Sequence, residues 1–334
     1  MFPVVFSSSR PSANVSPASR TRHDGKGLIM KKFAVAAFAA FALSASSAMA
    51  ADMAVKARPM APPPPPAWDI AFGGAIASDY VWRGITQSAG EPSVASYFET
   101  RYNAMSTLQF YAGIGGASIK FSNGAAAEVD FYGGVRPTIG KLALDFGIWY
   151  YYYPGGEDAF VTFSPVGAVL TATIADQSFY EGYARANYAI NDMVSVGANL
   201  YYTPSYLNTG AEGIYYSGTI KFTAPANMLP NGIGAYVSGE IGRQELGTTD
   251  TIATPFALLT PVDLASYTTW NAGLGFTWKV FTLDLRYIDT DLSELECIAI
   301  TGDPHPTGAG GSKWCGSSFV ARLSADLTVN DNLK

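Results

Sequence analysis

The sequence predicts an all-β protein, specifically an antiparallel transmembrane β-barrel of about twelve strands. Three observations point there. Charged residues make up 14% of the 334-residue chain, beside 34 Gly, 20 Tyr and 19 Phe, whereas ordinary soluble domains carry roughly 25% charge. From Trp68 onward the apolar residues recur with a period of two rather than 3.6, the signature of strands with one apolar face. No segment after the N-terminal region holds 18 consecutive apolar residues, so a membrane crossing would have to be made by strands.

Residues 1–29, polar and rich in Arg, Ser and Pro, do not belong before an export signal and read as a non-native or mis-annotated extension, with translation starting at Met30. Residues 30–50 are a secretory signal peptide: Met30-Lys31-Lys32 is basic, "FAVAAFAAFAL" (Phe33 to Leu43) is apolar, and Ala48-Met49-Ala50 fits small-x-small cleavage between Ala50 and Ala51. A buried N-terminal helix would not need that order of features. Residues 51–67, "ADMAVKARPMAPPPPPA", contain five consecutive prolines and form an extended periplasmic linker. The barrel then occupies 68–334.

Twelve period-two segments fall near 69–84, 91–103, 106–119, 126–137, 140–154, 178–190, 192–204, 213–224, 232–245, 265–278, 280–290 and 317–329. In "KLALDFGIWYYYYP", Leu142, Leu144, Phe146, Ile148, Tyr150 and Tyr152 share a face, opposite Ala143, Asp145, Gly147, Trp149 and Tyr151. Long connections such as "ITQSAGEP", 155–177 and 290–317 alternate with short ones such as "NAMS", "TIG" and "IND". That is the layout of an outer-membrane barrel with long extracellular loops and short periplasmic turns. A soluble β-sandwich would also alternate, but its outer faces would carry Lys, Glu and Thr. Here the faces away from the charges are Leu, Phe, Tyr, Ala and Gly.

The stretch "DYVWRGITQS" from Asp79 places Tyr80 and Trp82 with Ile70, Phe72 and Ile76, and Arg83 with Asp79, Ala71 and Ala75. Arg83 is therefore expected in the lumen at the end of the first strand. Tyr80, Trp82, Tyr150 and Tyr152 are expected in the aromatic girdle. The faces assigned to the lumen also collect Glu99, Arg101, Glu128, Asp130, Arg136, Asp145, Glu181, Arg185, Lys221, Glu240, Asp284, Arg286, Arg322 and Asp326. Such charges can line a hydrated path and sort solutes, or pair into networks that plug a small barrel. The first reading makes the protein a porin for passive diffusion of small hydrophilic solutes. The second makes it a plugged or structural barrel whose loops serve adhesion or reception.

Other classes fare less well. Outer-membrane phospholipases need a Ser beside a His base, and the mature chain has only His305, in a Gly/Pro loop. Glu99 and Glu128 could be cast as an acid/base pair, but carboxylates interleaved with Arg pair with it instead. No phosphate-cradling loop appears, and Gly113, Gly115, Gly116, Gly133 and Gly134 serve strand packing. The protein is thus expected to be no enzyme, with no cofactor and no metal. Removing residues 1–50 leaves 15 basic against 26 acidic residues, a formal charge of −11, which argues against nucleic acid. The expected partners are outer-membrane lipid and solutes, and homo-oligomerisation is left open. Cys297 and Cys315, in one loop of an exported protein, are expected to be bridged. Phe256, Leu258 and Leu259 could constrict the lumen or form a docking patch.

"SDYVWRGITQS" resembles the opening motif of the TorF-family porins, a proteobacterial exported family formerly of unknown function. "DFGIWYYYYPG" (Asp145 to Gly155), "YIDTDL" (Tyr287 to Leu292) and the late cysteine pair are similar too. The resemblance spans roughly 68–329 and implies an outer-membrane barrel and, more loosely, a pore; it brings no catalytic residues and no substrate. The chain departs from the common pattern in ending "LTVNDNLK" rather than on an aromatic residue, so either residues follow the last strand or the C-terminus is incomplete.

Overall fold

The computed structural model describes residues 66–333 apart from 157–160, 163–170, 173–175, 227, 251, 254–257, 260, 304–306 and 309. The expected export signal, its expected cleavage junction at Ala50–Ala51, most of the Pro-rich stretch, Phe256 and His305 lie outside the described residues. Period-two alternation becomes β1 (Trp68–Ala77), β2 (Ser93–Met105), β3 (Leu108–Ala117), β4 (Glu128–Ile139), β5 (Leu142–Tyr152) and β6 (Phe179–Ala189). It continues through β7 (Val194–Thr203), β8 (Gly213–Thr223), β9 (Gly234–Leu246), β10 (Tyr267–Trp278), β11 (Phe281–Thr290) and β12 (Ser318–Thr328). Each pairs antiparallel with its chain neighbours, and β1 pairs with β12, with Ile76 opposite Leu323, so the sheet closes. Closure removes the unpaired edges that hydrocarbon would not tolerate. No helix among the described residues is long and apolar enough to cross a membrane.

Register shows why the outside suits lipid. Phe98 lies opposite Ile114, Ile114 opposite Phe131, Phe131 opposite Tyr150 and Tyr150 opposite Tyr180. All five are exposed large hydrophobics, as are Ile148, Ile241 and Phe319 elsewhere on the outer surface. Such a continuous apolar row would be untenable in water and is satisfied by acyl chains. The strands run to 10–13 residues, enough for a tilted crossing.

Connections at one end are short, as at 106–107, 140–141 and 279–280, with 224–233 the longest; those at the other end are mostly longer, as at 78–92, 247–266 and 291–317. In the last of these, α1 (Glu294–Thr301) begins with a Ser293–Glu296 capping box and ends at Gly302, whose φ of 61° suits a left-handed cap. Cys297 in this helix is bonded to Cys315 across 18 positions. After β12 come four helical residues, Val329–Asn332. Leu258–Leu259 pairs with Ile252–Ala253 in a short hairpin.

The first segment needs correction. The strand expected over 69–84 ends at Ala77, and the chain then turns into the barrel as a hairpin of Val81–Trp82 against Ile85–Thr86. Arg83 and Gly84 form its tip with φ of 48° and 84°, left-handed values that no strand allows. Tyr80 and Trp82, expected in the girdle, are buried inside instead. Tyr150 and Tyr152 stand exposed on the outer face of β5.

Candidate lumenal site

The hairpin holds itself together before it touches the wall. Asp79 Oδ1 accepts hydrogen bonds from Thr86 Oγ1 at 2.5 Å and Ser88 Oγ at 2.9 Å, while Ser88 Oγ accepts the Tyr80 amide at 2.9 Å. The Gln87 amide donates to the Tyr80 carbonyl at 2.6 Å. Buried polar groups are thereby paired, which a segment removed from water requires.

Its tip carries Arg83 into a pocket built by the wall. Arg83 Nη1 donates to Glu181 Oε1 at 2.9 Å and to Gln244 Oε1 at 2.9 Å, and Nη2 donates to Glu181 Oε2 at 2.7 Å. The guanidinium carbon lies 4.2 Å from the Trp82 ring centroid, 4.4 Å from Tyr215 and 4.9 Å from Tyr201. Burial works against this charge, but Glu181 outweighs it, and the Arg83 proton is held more tightly than usual. Tyr151 also donates to Glu181 Oε2 at 3.1 Å. Trp82 stacks on Tyr206 of the 204–212 loop at 6.0 Å and 10°, and Tyr80 donates to Glu128 Oε1 at 2.6 Å, beside Tyr153 on Oε2.

A second cluster sits among β2, β3, β4, β5 and β6. Arg136 makes a forked pair with Glu99, Nη1 to Oε1 at 2.8 Å and Nη2 to Oε2 at 3.0 Å, and Arg101 Nε donates to Glu99 Oε1 at 2.6 Å. Asp145 takes Tyr111 at 2.5 Å, Arg136 Nε at 3.4 Å and Arg185, and the Tyr111 and Tyr183 hydroxyls meet each other. Arg136 lies 3.5 Å over the Tyr111 ring.

A third cluster, on β8 to β11, is wetter. Arg286 donates from Nε and Nη2 to Asp284 at 2.9 Å each, from Nη1 to Asn271 at 2.5 Å and from Nη2 to Ser238 at 2.9 Å. Tyr236 donates to Asp284 at 2.8 Å and has Lys221 Nζ 4.0 Å over its ring. Glu240 accepts from Tyr215 at 3.0 Å. Tyr97 reaches across the β1–β12 seam to Asp326 at 3.0 Å, and Arg322 stands opposite Asp284 in register.

Of the fifteen charged residues expected on the inner face, eleven fall into four groups: Arg83 with Glu181; Glu99, Arg101, Arg136, Asp145 and Arg185 together; Asp284 with Arg286; Glu128, which accepts from Tyr80, with Asp130 on β4. Lys221 lies over Tyr236, Glu240 accepts from Tyr215, Asp326 accepts from Tyr97, and Arg322 is in register with Asp284. Sequence reasoning missed the inward tyrosines that bind these groups together, above all Tyr111, Tyr183, Tyr201 and Tyr215: Tyr183 shares parity with Glu181 and Arg185 and Tyr215 with Lys221, but β3 and β7, which carry Tyr111 and Tyr201, have no charged residue to mark their inner face. Glycines make room for them: a Cβ on Gly113 would come within 2.4 Å of the Tyr132 ring, and one on Gly242 within 2.3 Å of the Tyr215 hydroxyl.

A family model described as "Bacterial protein of unknown function (Gcw_chp)" matches residues 64–314. The chain belongs to this family. The Gcw_chp match takes in the inner hairpin and all three clusters and stops short of β12. No curated protein matches. Similar solved structures include a TodX deletion mutant described as a monoaromatic hydrocarbon channel, at 11% identity and TM-score 0.42, covering 79% of this chain and 90% of that one. They also include KdgM porin, at 8% identity, TM-score 0.39 and coverage of 77% and 98%. A COG4313 outer membrane channel from Pseudomonas putida F1 stands at 9%, 0.39, 79% and 96%. These likenesses are slight, and the barrel described above stands on the chain's own register.

Proposed function

We propose that the protein is an outer-membrane channel for small hydrophilic solutes, constricted in its outer half by residues 78–92. The observation that supports this best is the inward-folded hairpin, whose Arg83 is clamped to Glu181 and Gln244 inside a wall of charged and hydroxylated side chains. A barrel built only for stability has no need of this arrangement, because an apolar filling is at least as stable as a buried ion pair. On this reading Arg101, Arg136, Arg185, Arg286, Glu99, Asp130 and Asp284 line the solute path and set charge preference, without cofactor or energy coupling. The resemblance of "SDYVWRGITQS" to the TorF-family porins points the same way, and export would use residues 30–50.

The test is conductance of the refolded protein in a planar bilayer. Discrete current steps are expected, with Arg136→Glu shifting preference toward cations. A silent bilayer from protein with verified barrel mobility would favour the second reading, a plugged barrel, which draws on the near-complete burial of Glu99, Asp145 and Glu181.

A further inference from the structure

Most of what holds Arg83 belongs to the barrel wall rather than to the hairpin. Glu181 on β6 offers both carboxylate oxygens, Gln244 on β9 offers a third acceptor, and Tyr201 and Tyr215 on β7 and β8 present ring faces at 4.9 and 4.4 Å. Only Trp82, at 4.2 Å, comes from the inserted segment. Aromatic faces closing on a cation, with a carboxylate set to receive a fork of N–H donors, form a general recognition geometry for guanidinium and alkylammonium groups. Arg83 Nε has no hydrogen-bond partner among the described residues, so the intramolecular occupant does not use every donor it carries.

We propose that this cage is a binding site for organic cations of the guanidinium and alkylammonium class, with Arg83 as its built-in occupant, displaced when such a solute enters from the outer mouth. The inference rests on the channel reading for its purpose but not for its test. Charge and shape argue for the class. Glu181 supplies a single negative charge against a planar fork, and the aromatic walls disfavour the strongly hydrated sodium ion relative to a weakly hydrated guanidinium.

Binding can be read without any current. In Arg83→Ala protein refolded in detergent, ethylguanidinium should change Trp82 fluorescence saturably and at least tenfold more tightly than sodium, and Arg83→Ala/Glu181→Gln should lose that preference. Equal responses to the two cations, or an unchanged preference in the double variant, would overturn the proposal. If Arg83→Ala does not fold, a second experiment decides alone. Gln87→Cys places a thiol in the buried hairpin of an otherwise intact chain, and ethylguanidinium should raise its labelling by a water-soluble maleimide at least fivefold over equimolar sodium. A labelling rate indifferent to the cation would overturn displacement. A conducting barrel that fails both experiments keeps the channel reading and loses this one, whereas a silent barrel that passes keeps the site and loses the channel.

Discussion

Two Arg–carboxylate pairs in one lumen are built alike and solvated differently. Arg83–Glu181 has side chains 3% and 1% exposed, while Arg286–Asp284 has 22% and 15%. Both are forked, with contacts between 2.7 and 2.9 Å. The difference is the neighbourhood: the first is roofed by the hairpin and walled by aromatic rings, whereas the second lies on β11 with Tyr236 donating to Asp284 and Lys221 over that ring, and keeps part of its surface in water. Hydrogen-bond geometry alone therefore does not rank them. What water can still reach decides how much each is worth.

The sharpest way to break the comparison is Glu181→Gln. It leaves the Arg83 charge buried without its counterion, a loss of about 3–5 kcal/mol for a buried pair. The expected outcome is a lowered urea midpoint for barrel unfolding, read by heat-modifiable gel mobility, together with altered conductance. A change under about 1 kcal/mol would mean that water already reaches Arg83, and the contrast between the two pairs would disappear.

That contrast also marks how far the sequence could be read. Parity alone placed Asp145 and Glu181 on the inner face and Phe146 and Ile148 on the other, because strand geometry permits only two faces. The strand expected to reach Gly84 ends at Ala77 because Arg83-Gly84 turns the chain back, pairing Val81 with Thr86 and Trp82 with Ile85; Val81, Trp82 and Ile85 put apolar residues on both parities, so alternation is already lost there. The signals present were local, with Gly84 free to take positive φ and Asp79 and Ser88 able to bond nearby hydroxyls and amides. Pairings such as Arg136 with Glu99, from strands two apart, depend on register and barrel shear, which one strand's pattern does not contain.

Next in size is the latch over the packed half. The Thr86 amide donates to the Trp314 carbonyl at 2.9 Å, and Thr290 Oγ1 donates to the Cys315 carbonyl at 2.7 Å, so the bridged loop holds the hairpin from outside. Closing 18 positions by a disulfide stabilises by about 3 kcal/mol. Cys297→Ala/Cys315→Ala should therefore loosen the loop and expose residues 78–92 to protease before the barrel unfolds. Two free thiols titrated in wild-type protein from the native membrane would remove the latch altogether.

Arg286→Gln is expected to be milder. With both partners partly in water, its effect on the urea midpoint should correspond to about 1 kcal/mol or less, while loss of a lumenal positive charge shifts ion preference toward cations. A loss as large as that of Glu181→Gln would show that the two pairs are energetically equivalent despite their exposure.

The smallest effect concerns the capping box of α1, where pH supplies the handle. The Ser293 hydroxyl and then its backbone amide, at 2.6 and 2.9 Å, hold the Glu296 carboxyl below the usual range. A carboxyl with a depressed folded pKa contributes stability above its unfolded value, near 4.3, and that contribution fades as pH falls through the folded value. Hydrogen-exchange protection factors of the first turns of α1 should therefore be constant from pH 7 to about 5 and decline below about 4. Glu296→Gln keeps an acceptor for the box but removes the titration, so its protection should be lower at neutral pH and flat across the acid range. If the variant declines like the wild type, the acid sensitivity of the loop comes from elsewhere than the capping box.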